Sequence, residues 1–206
     1  MGLSSDLSRD LLKIKAVQIN PSQENYFTWT SGIKSPIYCD NRLTMSYPEI
    51  RKKITSAFVE IINEMDEKPE VIAGCATAGI PHAAWLADSL SLPMVYVRSK
   101  PKGHGKGNQI EGEFAENARV LVIEDLISTG GSSIASAEAL QMEGANVLGV
   151  LAIFTYGLKK SIQQFSGINI PFQTITSFDQ LIDALVEDGK ISNQEKSELL
   201  AWRNDL

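Results

Sequence analysis

Cysteine is nearly missing from this chain of 206 residues: Cys39 and Cys75 are the only two, and they lack the spacing of a metal site. That excludes a disulfide framework, and both read as buried or site-adjacent thiols of a reducing compartment, which points to the cytoplasm. Long apolar runs are missing too, with no stretch near the ~18 consecutive apolar residues of a membrane span. The opening Met1-Gly2-Leu3-Ser4-Ser5-Asp6 has no basic start and apolar run of a secretory signal, and Asp6 stands where myristoylation of Gly2 asks for Ser or Thr. Positive charge is in deficit: 19 Lys and Arg against 25 Asp and Glu give a net charge of −6, which argues against nucleic acid as the main partner. Internal repeats and low-complexity linkers are absent as well. With 43% hydrophobic residues, the chain fits one sizeable core and a single domain over residues 1–206.

One further absence is local. Between residues 89 and 110 there is no Asp or Glu, while Arg98, Lys100, Lys102, His104 and Lys106 crowd together. A positive island on an acidic protein suits a small anionic ligand.

The apolar pattern changes along the chain. Leu7, Leu11 and Ile14 have helical spacing, and residues 26–38 read as a hairpin broken by Ser31-Gly32 and Pro36. Pro48 opens an amphipathic helix with Ile50, Ile54, Ala57, Phe58, Ile61 and Ile62 on one face. After Pro69 short apolar runs begin near residues 71, 94, 120 and 147, with helical stretches expected at about 81–90 and 133–142. Runs buried on both faces and alternating with helices indicate an α/β fold with a central parallel sheet flanked by helices. Towards the end, Ser177 with Gln180 and Ser192 with Glu195 read as two capping boxes, with Gly189 stopping the first helix.

Chemistry concentrates in Val120-Leu121-Val122-Ile123-Glu124-Asp125-Leu126-Ile127-Ser128-Thr129-Gly130-Gly131-Ser132-Ser133, where an apolar strand is expected to end in two adjacent acids. A small, hydroxyl-rich loop then leads into a helix. Converging backbone N–H groups, close-approach glycines and the positive end of the helix suit a phosphate, and the two carboxylates suit the hydroxyls of a sugar. No Lys follows the glycines, so this is not a Walker A loop, and the three-glycine dinucleotide fingerprint is missing. The segment Arg98 to Gly107 follows directly on an expected strand and carries glycines at 103, 105 and 107 with no apolar side chain to pin it. It reads as a mobile basic lid that closes over a pyrophosphate. Gly74-Cys75-Ala76-Thr77-Ala78-Gly79 offers small residues at another strand end, either for approach to a ligand or for helix–sheet packing.

The acidic pair with its Ser/Thr/Gly loop resembles the signature of the type I phosphoribosyltransferases, which bind phosphoribosyl pyrophosphate (PRPP). Together with Phe27-Thr28-Trp29-Thr30-Ser31-Gly32-Ile33-Lys34-Ser35-Pro36-Ile37-Tyr38 and the basic lid, the chain is similar to the orotate-using branch of that family from about residue 27 to 156. The resemblance implies a PRPP-binding core over about 46–165 and a small hood from N- and C-terminal segments, about 1–45 and 166–206. It implies that Glu124, Asp125, Leu126, Ile127, Ser128, Thr129, Gly130, Gly131 and Ser132 bind PRPP, the acids on the ribose and the loop on the 5′-phosphate. Arg98, Lys102 and His104 would bind the pyrophosphate, and Lys102, His104 and Asp125 would be catalytic. Orotate would meet Ser128, Lys34 and Tyr38.

The resemblance also implies Mg²⁺ held mainly by PRPP and water rather than by a protein metal site, and a homodimer whose lid acts in the partner's site. Thr30, Ala78 and Tyr156 stand where many family members carry Lys, Lys and Arg, so those basic contacts are missing or supplied differently, Lys34 being a candidate. A phosphoribosyltransferase for another base and a PRPP-sensing regulator without chemistry are the alternatives. The Ser31–Tyr38 segment speaks against the first. Acidity, the absence of an appended helix-turn-helix and the Lys102/His104 lid speak against the second.

Overall fold

The computed structural model describes residues 3–29, 32–100 and 109–206. The chain begins with α1 (Leu3–Lys13) and four short strands, β1 (Val17–Ile19), β2 (Phe27–Thr28), β3 (Lys34–Ser35) and β4 (Ile37–Cys39). A 3₁₀ turn over Asn41–Ser46 leads into α2 (Pro48–Glu64), whose Pro48 sits in the first turn, where a missing N–H costs nothing. Then follow β5 (Val71–Cys75), α3 (Gly79–Leu90), β6 (Met94–Val97), β7 (Ile110–Glu111), β8 (Arg119–Ile127) and α4 (Gly131–Met142). The last elements are β9 (Asn146–Thr155), α5 (Lys159–Gly167), β10 (Phe172–Ser177), α6 (Phe178–Glu187) and α7 (Asn193–Asn204).

Six strands form one sheet in the order β10-β9-β8-β5-β6-β7, and all neighbours are parallel except β7, which runs antiparallel to β6. The expected α/β architecture is therefore present, with one antiparallel edge strand. Alternate side chains of the central strands serve two cores, as the two-residue period of a strand requires. Leu121 and Ile123 join the layer containing Leu11, Phe58, Leu86 and Leu181 from α1, α2, α3 and α6. Val120 and Val122 join the opposite layer, with Leu140 of α4 and Phe165 of α5. Completely burying such a side chain stabilises the fold by about 1.5–3 kcal/mol.

Two expectations change. The acids do not end their strand: β8 continues to Ile127 because β9 is long enough to pair with it as far as Thr155. Only one of the two capping boxes closes. Ser192 N–H donates to Glu195 Oε2 at 2.7 Å while Glu195 N–H donates to Ser192 Oγ at 3.2 Å. At the other helix, Gln180 N–H donates to Ser177 Oγ at 3.3 Å, but Gln180 Oε1 faces the Ser177 hydroxyl at 3.2 Å instead of its backbone N–H.

The N- and C-terminal segments pack together. Ser8 Oγ and Thr176 Oγ1 share a buried hydrogen bond of 2.6 Å, and Arg9 pairs with Glu187 and Asp188 at 2.9 Å each. On α7, Trp202 Nε1–H donates to the Lys34 carbonyl at 3.2 Å and its ring meets Trp29 edge-on, 6.0 Å between centroids. The short strands β2 to β4 are thus braced from the far end of the chain.

Candidate active site

Ligands in an open α/β sheet collect at the carboxyl ends of the strands, and two adjoining clefts lie there. One, of about 380 Å³, is lined by Asp40, Arg42, Thr77, Glu124, Asp125 and Ser132 among others. The second, of about 230 Å³, is walled by Thr28, Trp29, Tyr38, Ser128 and Tyr156. Cys39 and Leu126 line both clefts. A charged chamber opens onto an aromatic one.

In the charged chamber, Glu124 accepts from the Asp125 N–H at 3.0 Å and from the Ser132 hydroxyl at 3.0 Å. Burial, then the Asp125 charge, raises the Glu124 carboxyl well above the usual carboxylate range. Burial raises Asp125 as well. The pair therefore holds its protons more tightly than free carboxyls do. Opposite, Asp40 holds Arg42 through its Oδ1 at 2.6 Å and Oδ2 at 2.8 Å.

Beyond the acids, Gly130 takes φ +89° at the start of α4, and no side chain caps that helix. Its first N–H groups and positive end thus stay available to an anion. A Cβ on Gly130 would also come within 2.8 Å of the Phe165 ring, so both conformation and space demand glycine. Ile127 is wholly buried, which leaves only its main chain for any ligand contact.

The loop between β5 and α3 contributes Ala76, Thr77 and Ala78 to the charged chamber, and its Ala76–Thr77 peptide is cis. The flanking glycines do packing work. A Cβ on Gly74 would lie 2.9 Å from Ile80 Cα, and one on Gly79 would lie 2.4 Å from the Ile123 carbonyl oxygen. Gly79→Ala is therefore expected to push α3 off β8 at a cost of about 1–3 kcal/mol. A melting temperature equal to that of the unaltered protein would contradict this.

In the aromatic chamber, Tyr156 stacks on Trp29 at 4.9 Å and 33° and meets Phe154 edge-on at 5.6 Å. Burial raises its phenol, so it stays neutral. Lys34 Nζ donates to Thr28 Oγ1 at 2.8 Å across the β2–β3 pair, which sets an ammonium at the rim of this chamber. Tyr38 packs on Phe27, 5.8 Å between ring centroids. Both thiols, Cys39 and Cys75, are raised by burial and by neighbouring carboxylates, so neither is primed as a nucleophile.

The structure thus brings Glu124, Asp125, Leu126, Ser128, Ser132 and Tyr38 to one pair of clefts, with Lys34 at the edge. Arg98 stands just past the end of β6, its Nη1 3.2 Å from Glu111 Oε1. Lys102 and His104 lie outside the described residues, as does Thr30. The backbones of Arg98 and Gln109 are joined at 2.8 Å, so the segment between them leaves and returns at one place. Sequence reasoning overlooked Trp29, Asp40 and Arg42 as cleft residues, whereas Cys39 stands beside the site as expected. The row Cys39-Asp40-Asn41-Arg42, polar and directly after an expected hairpin, was the available signal.

A sequence model of the phosphoribosyl transferase domain matches residues 46–166. The chain is 62% identical over 204 residues to an orotate phosphoribosyltransferase of Oceanobacillus iheyensis, covering 99% of this chain and 100% of that protein. To the enzyme of the same name from Fusobacterium nucleatum it is 55% identical, over 99% of this chain and 97% of that one. Among solved structures, the orotate phosphoribosyltransferase of Aeropyrum pernix superposes with a TM-score of 0.76 at 28% identity, over 90% of this chain and 99% of that one.

Proposed function

Since this chain belongs to the phosphoribosyltransferase family, and within it to the orotate phosphoribosyltransferases, we infer that its two clefts take PRPP and orotate as neighbours. The enzyme transfers ribose 5-phosphate from PRPP to orotate, giving orotidine 5′-monophosphate and pyrophosphate. The observation that carries the assignment of clefts is their shared wall of Cys39 and Leu126. Phosphoribosyl in the charged chamber and a flat base in the aromatic one would meet there, with the reacting atoms already close.

In this reading Glu124 and Asp125 hold the ribose hydroxyls, and residues 128–132 with the open end of α4 hold the 5′-phosphate. Stacking on Trp29 and Tyr156 orients the base, and the Lys34 ammonium answers its carboxylate in place of the arginine that Tyr156 replaces. Ser128 and Tyr38 complete the rim. As the orotate nitrogen attacks C1 of the ribose, the bond to pyrophosphate breaks through an oxocarbenium-like state. The protein supplies no covalent nucleophile; it positions two substrates and stabilises charge growing on the departing group.

We assign that last task to Arg98, Lys102 and His104, acting from the lid of one subunit on the site of its partner in a homodimer. The carboxylates of Glu124 and Asp125 are the hard oxygen donors that Mg²⁺ accepts, and the described residues hold no cluster of three or more ligands. On this reading the ion would be held mainly by PRPP oxygens and water, beside the acidic pair. When bound it neutralises pyrophosphate charge. No helix among the described residues is long and apolar enough to cross a membrane, and we place the reaction in the cytoplasm, where free thiols such as Cys39 and Cys75 persist.

The decisive assay follows orotate absorbance after PRPP and Mg²⁺ are added to the purified protein. Absorbance should fall as orotidine 5′-monophosphate and pyrophosphate accumulate. Turnover of uracil or hypoxanthine with none of orotate would sink the assignment.

A further inference from the structure

We propose that Asn41 is a positioning residue for Asp125, a role that rests on the assignment of Asp125 to the ribose hydroxyls. Asn41 is wholly buried, and its Nδ2 donates to the main-chain carbonyl of Asp125 at 2.7 Å. Only the amide N–H can face a carbonyl, so the orientation of the side chain is settled by that contact. Its Oδ1 is left buried without a hydrogen-bond partner among the described residues. Buried polar atoms are rarely left so, and here the amide gives up its acceptor to present its donor to β8.

The register of the sheet explains why β8 needs that donor. β5 pairs with β8 only as far as Gly74 and Ile123, two residues short of Asp125. On the other flank, β9 pairs with Glu124 and Leu126. Past Ile123 the strand has therefore lost one neighbour, and the Asn41 amide supplies the bond that a ladder partner would have made. With that carbonyl anchored, rotation of the strand about Asp125 is stopped and its carboxylate points where the charged chamber needs it.

Asn41 is itself held. The Thr44 hydroxyl donates to the Asn41 carbonyl at 2.6 Å, which uses its single proton, so toward His82 Nε2 at 3.4 Å it can only accept. His82 belongs to α3, the helix that begins at Gly79. Through Asn41 and Thr44 the 3₁₀ turn thus reaches both the acidic strand and the helix behind the small-residue loop. Asp40, its neighbour in sequence, lines the same chamber as Asp125, so this contact joins two of the segments that line it.

The test is steady-state kinetics of the full chain with Mg²⁺ for Asn41→Leu and Asn41→Ala, both neutral, so that the charge facing anionic PRPP is unaltered. KM for PRPP should rise about tenfold or more, as expected when a buried carbonyl loses its partner, while KM for orotate stays unchanged. Should the leucine variant fail to fold, the alanine variant, which leaves room for a water, carries the measurement. Normal KM for PRPP in a folded variant overturns the proposal, and so does an equal rise for both substrates, which would make Asn41 a general support. Asp125→Asn in the same assay separates the two levels. If it binds PRPP normally, the ribose assignment has failed. If it weakens PRPP while the Asn41 variants do not, only the positioning role has failed.

Discussion

Lys102→Ala is expected to lower kcat by roughly 10²–10³, the effect of removing one positioned stabiliser of transition-state charge, with little change in folding. The charge is useful chiefly when pyrophosphate leaves, so KM for orotate should hardly move. Lys102 sits among Pro101, Gly103, Gly105 and Gly107, with no apolar neighbour to draw it into a core. The backbone pairing of Arg98 with Gln109 fixes where its segment begins and ends. Mixing Lys102→Ala protein with Asp125→Asn protein under subunit exchange also tests the dimer. A heterodimer in which the lid acts across the interface carries both lesions in one site and leaves the other intact, so activity should climb well above either parent. Confirmed exchange with parental activity would place the lid in its own subunit's site.

Asp125→Asn should weaken PRPP by about one to two powers of ten, because a charge-assisted hydrogen bond contributes roughly 1.5–3 kcal/mol. Stability should move the other way with pH. Burial raises the folded-state value of this carboxyl above its unfolded value. Folding therefore favours the protonated form, and the unaltered protein loses stability as pH rises from the ordinary carboxylate range through the raised value. The asparagine variant lacks that loss, so its melting temperature should gain on the unaltered protein as pH increases. A variant that melts lower at every pH and binds PRPP normally would make Asp125 structural.

The parts of this fold that could be read from sequence are those determined by local pattern. The apolar runs at 71, 94, 120 and 147 became β5, β6, β8 and β9, and the Ser/Thr/Gly loop before α4 stands beside the acids as expected. β10 escaped notice because Phe172-Gln173-Thr174-Ile175-Thr176-Ser177 is a polar edge strand with little apolar signal. The extension of β8 past its acids depended on the length of β9, whose Phe154 and Thr155 pair with Leu126 and Ile127 from 28 residues further along the chain. The half-formed cap at Ser177 turned on one rotamer of Gln180. Asn41 joined the acidic pair only when a turn near residue 40 met a strand near 125, a contact 84 positions apart in sequence that no periodicity announces. In the small-residue segment, Gly74 and Gly79 serve packing, since their missing Cβ atoms make room for backbone of this chain, while Ala76, Thr77 and Ala78 between them line the charged chamber.

The bracing of the base chamber by α7 has a bearing on synthesis. Chains emerge N-terminus first and fold as they come. The acidic strand, the Ser/Thr/Gly loop and α4, residues 119–142, are complete while nearly a third of the chain has yet to appear. The hairpin carrying Lys34 and Trp29, although made long before, stays without its clamp until Trp202 arrives to take the Lys34 carbonyl. On the proposed assignment of the two clefts, a nascent chain therefore has the residues for its phosphate before the walls meant for its base are clamped.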